Sequence, residues 1–499
     1  MWRQLKDFVR AKKNSCDVWV VWTWRCFEKI DCLGCGDWTS PSPILHYLSF
    51  SAEEPWSTIT LNKTWSPAAV ELEISTNGVT WTDYTIGDAI TLANIGDKVY
   101  MRNKSEENIW FTPSSGNYYQ FSMTWKVAWW WDVTTLLCKE WTTSMWESKM
   151  TYLFRNCKSL TKPPELPATT IAYACYESMF IWCTSLVEAP ELPATTLTDS
   201  CYRYMFSWCT SLTKAPELPW TEVAKYSFYH MFDWCTSLVE TPELPATTLA
   251  DSCYSWMFRN CTSLVEAPEL PATTLDVGCY WQMFALCTSL TTAPELPATT
   301  LANNCYISMF SWCTALTEAP ELPVTSLADW CYQYMFQDCK KLTSAPELPA
   351  TTLNKYCYNY MFSWCSGLTE APELPATRAA EYCYSCMFQN CTKLISVPEL
   401  PATSLANSCY SGMFSWCTSL TQPAILPATT LPAYCYERMF RWCSKIKLSA
   451  TQTWNYQTPY RIPSEWEWTA VSRAMDNMFA STGWTFKGAP VINKTYYLA

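Results

Sequence analysis

The chain has 499 residues, of which 49% are hydrophobic, and this is enough apolar material for folded cores in several domains. Its net charge of −11 argues against binding to the phosphate backbone of nucleic acids. No stretch is apolar for the roughly 18 residues that a membrane-spanning helix requires, and the two histidines lie in no metalloprotease, hydrolase or phosphate-loop motif.

Residues 1–43 form a basic N-terminal segment that ends in the Pro-rich linker Ser40–Pro43. The start of this segment lacks the long apolar core of a signal peptide. The candidate metal ligands are its four cysteines, Cys16, Cys26, Cys32 and Cys35. Only the Cys-Leu-Gly-Cys pair has the knuckle spacing that zinc favours. A zinc knuckle is therefore one reading, and free or disulfide-linked thiols are the other.

Residues 44–128 show period-two alternation of apolar and polar residues, which predicts a small all-β, sandwich-like module. The predicted strands cover Thr58–Leu61, Val70–Ser75, Val99–Arg102 and Tyr118–Val127. Asn77-Gly78 is typical of a tight hairpin turn. Residues 129–150 are expected to connect this module to the next part of the chain and to cap it.

Residues 151–446 consist of a 26-residue unit that repeats without insertion or deletion. A cysteine, here called the opening cysteine, recurs at this spacing from Cys157 to Cys443. A strict period predicts a repeat solenoid of about twelve coils, because stacked units share a core that one unit cannot form. In the unit that begins at Cys183, Leu186–Leu192 is predicted to be a short parallel strand. Cys201–Phe206 is predicted to be a short helix with two i,i+4 apolar pairs.

The residue before each opening cysteine does not fit its expected position at a helix end. Asparagine, aspartate or leucine occurs there five times, at Asn156, Asn260, Asn390, Asp338 and Leu286. Tryptophan occurs seven times, at Trp182, Trp208, Trp234, Trp312, Trp364, Trp416 and Trp442. Asparagine and aspartate predict a left-handed residue, which is usually glycine.

The composition agrees with glycine at these positions, since the chain has 30 Trp and only 11 Gly. We hypothesise that UGA codons that specify glycine were read as tryptophan. A true aromatic ladder on an exposed edge is the alternative.

Three rows of side chains recur along the repeats, two of cysteine and one of glutamate. Cysteines form one row at the opening position and a second row from Cys175 to Cys435, interrupted by Ser227, and buried thiols fit this pattern better than disulfides. Glutamate follows most opening cysteines by eight residues, and like charges so close together must be solvated, hydrogen-bonded or paired with cations. Hydrogen bonds to turn amides are one explanation, and a calcium-lined face is the other. The predicted binding residues are Glu188, Glu191, Glu240, Glu243, Glu266, Glu269, Glu318 and Glu321.

The recurring Cys-Thr-Ser-Leu, Pro-Glu-Leu-Pro-Ala-Thr-Thr-Leu, Cys-Tyr and Met-Phe motifs resemble the BspA-type leucine-rich repeats of bacterial surface proteins. The resemblance extends from about residue 44 to the end of the chain, where residues 447–499 form a predicted C-terminal cap. It implies a BspA-like leucine-rich repeat solenoid of short parallel strands and short helices, behind an N-terminal all-β module. Family members typically have glycine where Trp182 and its equivalents stand.

The resemblance implies a non-catalytic surface-display or adhesion protein that binds a protein or glycan on a cell surface through an acidic face. A cell surface or a virion is the expected location, although no signal peptide is evident. The alternatives are a carbohydrate-active or metal-dependent enzyme in the β module, a phage host-contact protein and an intracellular scaffold. No cofactor is predicted beyond the zinc and calcium readings, and the oligomeric state is not predicted.

Overall fold

The computed structural model describes residues 47–64, 70–104, 118–130, 133–136, 150–462, 473–483 and 490–499. The chain divides into two units, Met1–Leu45 and His46–Ala499, and every described residue belongs to the second. The strands before the repeats are β1 (Leu48–Ala52), β2 (Ser57–Lys63), β3 (Leu72–Ser75), β4 (Thr82–Tyr84), β5 (Ile90–Leu92), β6 (Lys98–Asn103), β7 (Tyr119–Thr124) and β8 (Val127–Trp130). A 3-10 helix covers Val133–Leu136. The later strands are β9 (Leu160–Lys162), β10 (Leu448–Ser449), β11 (Thr458–Arg461) and β12 (Thr495–Leu498).

The first eight strands confirm the prediction of a strand-rich N-terminal region. They form a sheet in the order β4-β3-β6-β1-β8, which β9 extends, and a second sheet in the order β5-β2-β7. Alternation of buried residues, such as Ser57, Ile59 and Leu61 in β2, matches the period of two in the sequence. The hairpin predicted at Asn77-Gly78 joins β3 to β4, and its glycine has a φ of 71°. The Asn77 side chain accepts hydrogen bonds from two backbone amides of this turn.

Successive repeats lie side by side in the same direction. Glu188 forms a parallel bridge with Lys214, and Lys214 forms one with Glu240, each pair 26 residues apart. The amide of Thr195 likewise donates to the carbonyl of Thr169 at 2.9 Å. Each repeat is therefore a coil that is hydrogen-bonded to the coils before and after it.

The predicted short helix is wrong, because the nine residues before each opening cysteine from Cys183 onward form a chain of tight turns, which we call the turn segment. In residues 174–182, the amides of Glu177 and Met179 donate to carbonyls three residues earlier in the same segment. The amides between them donate to the next coil, as Ser178 does to Arg203 at 2.8 Å. Among the described residues there is no α-helix.

The apolar pattern could not distinguish this arrangement from a helix. Buried residues four apart, such as Cys175 with Met179 and Tyr176 with Phe180, lie on one side of both structures. An α-helix satisfies its amides internally, whereas the turn segment uses every second amide to bind the next coil. The hydrogen bonds between coils therefore favour the turns.

The predicted strand Leu186–Leu192 is also shorter than expected, since only a single-residue bridge at Glu188 remains. Pro190 and Pro193 cannot donate backbone hydrogen bonds, and this ends the ladder. Only β9 in the first coil extends to three residues. It pairs in parallel with β8, which joins the repeats to the sheet before them.

Stacked side chains fill the interior of the coils. The Phe180 and Phe206 rings stack with their centroids 5.6 Å apart and an interplanar angle of 3°. This column of phenylalanines continues from Phe121 in β7 to Phe479 near the C-terminus. One hydrophobic cluster runs from Leu48 to Leu498. The N-terminal strands and residues 473–483 therefore share a core with the repeats.

The residue before each opening cysteine is left-handed in all twelve coils, with φ between 59° and 69°. This confirms the prediction made from asparagine and aspartate at that position. The tryptophans share the conformation, and Trp364 has a φ of 66°. Left-handed tryptophans also occur outside this position, at Trp56 and Trp125 for example, where a bulky residue is an outlier.

Candidate functional site

The glutamate row lies on the surface of the repeats. All ten of its members are exposed, including Glu191, Glu243, Glu269 and Glu321 among the predicted binding residues. The other four predicted residues, three positions earlier in their coils, are exposed as well: Glu188, Glu240, Glu266 and Glu318. The carboxylates therefore form an acidic edge that follows the Pro-Glu-Leu-Pro turns of successive coils.

A groove between neighbouring coils brings three of the predicted residues together. Glu188, Glu191 and Glu240 line it together with Lys214 and the prolines of two coils, and its volume is about 630 Å³. Lys214 Nζ lies 3.1 Å from a Glu240 carboxylate oxygen, but both side chains are exposed, so this ion pair contributes little to stability. The five other predicted residues occupy equivalent or later places along the same edge and do not line this groove.

The metal readings gain no support from the described residues, where no group of three or more His, Cys, Asp or Glu side chains could hold an ion. The zinc reading of Cys16, Cys26, Cys32 and Cys35 falls outside the described residues. The calcium-lined face along the glutamate row remains a prediction. Within the same described part, no helix is long and apolar enough to cross a membrane.

Both cysteine rows consist of buried free thiols, as predicted. The Cys183 thiol donates to the carbonyl of Phe154, with 3.0 Å between sulfur and oxygen. Burial raises the pKa of Cys201 to about 12. These thiols remain protonated at neutral pH and are therefore poor candidates for a nucleophile.

A buried charged cluster interrupts the regular pattern in the coil that ends before Cys235. His230 Nδ1 lies 2.8 Å from Asp233 Oδ2, and the Arg259 guanidinium donates to both oxygens of the same carboxylate. Burial lowers the pKa of His230, although the nearby Asp233 carboxylate raises it. The imidazole is enclosed by the rings of Tyr204 and Trp256, so the cluster is part of the interior rather than an open site.

The sequence reasoning missed a second surface, which we call the turn face. It consists of the ninth, sixth and fifth residues before each opening cysteine from Cys183 onward, such as Ser200, Arg203 and Tyr204 before Cys209. Thirteen of these 33 residues are buried, His230 among them, and the other twenty are partly or fully exposed. The available signal was variation among the repeats. The turn face contains twelve residue types, whereas the residue nine after the opening cysteine is leucine in all eleven of these coils.

Comparison with known proteins identifies the repeats. The family described as "BspA type Leucine rich repeat region (6 copies)" matches residues 199–347, 282–421 and 331–453, which together cover slightly more than half of the chain. Neither the curated proteins nor the solved structures gave a match. Repeats of this kind suggest protein binding or adhesion, and the family is typically non-catalytic. The chain therefore belongs to the family of BspA-type leucine-rich repeat proteins.

Proposed function

We propose that this chain is a non-catalytic adhesion protein, displayed on a cell surface or a virion, whose repeats bind a protein or glycan on another cell. The proposal includes a solenoid architecture for the repeats, which the hydrogen bonds between successive coils support. The observation that carries the proposal is the exposed row of ten glutamates from Glu165 to Glu399. A repeat protein that presents one chemical group along its length offers many contacts to a partner on a surface.

The row has an electrostatic cost that a partner can relieve. Two like charges about 4.8 Å apart repel by roughly 1 kcal/mol in water. Basic groups or divalent cations on a partner would remove this repulsion and would be attracted before contact. Because salt screens exposed charges beyond about 8 Å at physiological ionic strength, binding through the row should weaken as salt rises.

A cell-binding assay tests this function. Fluorescently labelled full-length chain is added to a panel of live bacterial cells, and the bound fraction is measured by flow cytometry at low and physiological salt. Glu243→Gln with Glu269→Gln removes two charges from the row, and we expect binding to weaken several-fold and to depend less on salt.

A matched variant removes two exposed charges from the loops between the N-terminal strands, by Glu71→Gln with Asp88→Asn. It should bind as the unchanged chain does. Equal loss in both variants would contradict a role for the row, and no binding to any cell type would contradict the adhesion function itself.

A further inference from the structure

We infer that the turn face, rather than the glutamate row, determines which partner the protein binds, and that this partner is a folded protein with a surface of mixed charge. The inference rests on the proposed adhesion function. The glutamate row is nearly the same in every coil, so it can attract a partner but cannot distinguish one partner from another. The turn face differs in every coil and can therefore carry specificity.

The partly exposed residues of the turn face are rich in tyrosine, which is typical of a protein-recognition surface. Its 33 residues include eight tyrosines, all partly exposed, whereas seven of its eight serines are buried. Protein-binding loops of antibodies favour tyrosine, because it supplies contact area at a low entropic cost. This argument depends on the tyrosines and is the same whether the tryptophans of the turn face are tryptophan or glycine. The turn face therefore has suitable contact residues under both readings of the sequence.

The tyrosines of the turn face fall into two groups, with larger, partly exposed residues such as Trp281 and Ile307 between them. All eight are partly exposed, in one group around Tyr204, Tyr226 and Tyr229 and a second group around Tyr356 and Tyr382. Buried serines such as Ser252 and Ser255 lie between the two groups. From the first group to the end of the repeats the face extends over about nine coil steps, or roughly 45 Å at about 4.8 Å per coil. This length accommodates an interface that buries about 800 Å² on each partner.

The stacking of the rings favours a protein over a glycan. Tyr356 and Tyr382 stack at 4.6 Å between centroids with an interplanar angle of 5°, and Tyr334 and Tyr360 stack at 4.9 Å. A sugar binds an aromatic platform through the open face of a ring, and Tyr356 has a ring stacked on each side, Trp330 at 4.1 Å and Tyr382 at 4.6 Å between centroids. What remains exposed is ring edges and hydroxyl groups, which suit the hydrogen-bonding and apolar groups of a protein surface.

The charges beside the turn face already pair with one another across coils. Lys225 Nζ lies 2.7 Å from Asp251, and Lys355 Nζ lies 3.1 Å from Glu381. Because these charges compensate, the turn face offers no single-sign field to an anionic polysaccharide or a lipid headgroup. A protein surface that carries both signs of charge complements it better.

The turn face is also held in position before binding. The Gln333 side chain donates to Asn359, and the Asn359 side chain donates to the carbonyl of Ser385, at 2.8 and 3.0 Å. Gln333 and Asn359 are buried members of the turn face, and their hydrogen bonds link three coils next to the second group of tyrosines. Such preorganisation lowers the entropy lost on binding.

The cell-binding assay distinguishes the two surfaces. The turn-face variant is Tyr356→Ser with Tyr382→Ser, because serine already occupies the same position at Ser252 and Ser408 and should preserve the fold. We expect at least tenfold weaker binding to some cell types and little change on others, since specificity resides here. The glutamate variant should weaken binding to all cell types by a similar factor.

Two treatments of the cells identify the partner. Protease shaving should abolish binding, whereas periodate oxidation of glycans should leave it unchanged. Ile425→Ala removes an exposed apolar side chain outside the turn face and should bind normally.

Unchanged binding by the tyrosine variant, or loss after periodate alone, would overturn the inference and leave the adhesion function intact. Absence of binding by the unchanged chain would overturn both.

Discussion

Trp364 provides a direct test of the left-handed geometry before each opening cysteine. Its φ is 66° and its side chain is 51% exposed. In this conformation a residue with a Cβ atom costs roughly 1–2 kcal/mol, which glycine does not incur. Trp364→Gly and Trp364→Ala lose nearly the same side-chain contacts, so their difference isolates the backbone. We expect the glycine variant to be more stable than the alanine variant by about 1–2 kcal/mol.

This order is the reverse of the usual one, in which glycine is about 0.5–1 kcal/mol less favourable than alanine inside regular structure. Trp281 serves as the control, because it lies in a turn segment but is not left-handed. There the alanine variant should be the more stable of the two. Urea unfolding of the full-length chain, followed by circular dichroism, gives both differences.

A Trp364→Ala chain that equals or exceeds the glycine chain in stability would refute the reasoning. If the expected order holds, each tryptophan at this position carries a similar strain. Seven such sites would together reduce stability by an amount comparable to the 5–15 kcal/mol that stabilises a typical domain. That comparison is the physical reason to consider glycine as the natural residue.

Four other outcomes are expected. Peptide mass spectrometry of the protein from its natural source should show glycine at Trp182 and its equivalents, and peptides that retain tryptophan would contradict the recoding hypothesis. Ser227→Cys should raise the free energy of unfolding by about 1 kcal/mol, seen as a higher urea midpoint, because the buried serine hydroxyl has no hydrogen-bond partner. Acidification from about pH 7 to about pH 5 should destabilise the fold, since burial lowers the pKa of His230 and the unfolded state therefore takes up the proton more readily than the folded state; His230→Gln should reduce this slope. Iodoacetamide should label the buried cysteines only after unfolding, because their thiols are inaccessible and protonated.

The period of the sequence was sufficient to predict the stacking of the repeats and their shared core. Residues such as Leu186, Met205 and Phe206 recur at fixed places and are fully buried. Position in the repeat also predicted the left-handed residue, because asparagine and aspartate tolerate that conformation better than most residues. These successes have one cause: each unit has the same environment, so repeated residues report the same constraint.

The backbone of the turn segment could not be predicted in the same way. Spacing of four between Cys201 and Met205 agrees with a helix and with consecutive turns. The difference lies in amides that bind the next coil, and a pattern of side chains does not record where a backbone amide donates. A left-handed residue such as Tyr204 within the predicted helix would have excluded that helix, but tyrosine does not signal this conformation.

The candidate binding surfaces show a similar limit. The exposure of the glutamate row could be predicted from its charge. The groove lined by Glu188 and Glu240 could not, because its shape depends on the distance between coils. The turn face was overlooked because two of its three positions in each coil, such as Arg203 and Tyr204, lay inside the predicted helix, where variation between repeats is usually attributed to solvent exposure. Its tyrosines are 26 residues apart in the sequence and become neighbours only when successive coils stack, as Tyr356 and Tyr382 do.

The alternating amides of the turn segments have a consequence for how such a protein can change over generations. Each coil binds only the coil before it and the coil after it, through the same set of backbone atoms. Copying or deleting one 26-residue unit therefore joins two surfaces that already fit, and no distant contact has to adjust. Unequal recombination between repeats would lengthen or shorten the array and change the order of its tyrosines in a single event, and the resulting chain would still stack coil on coil.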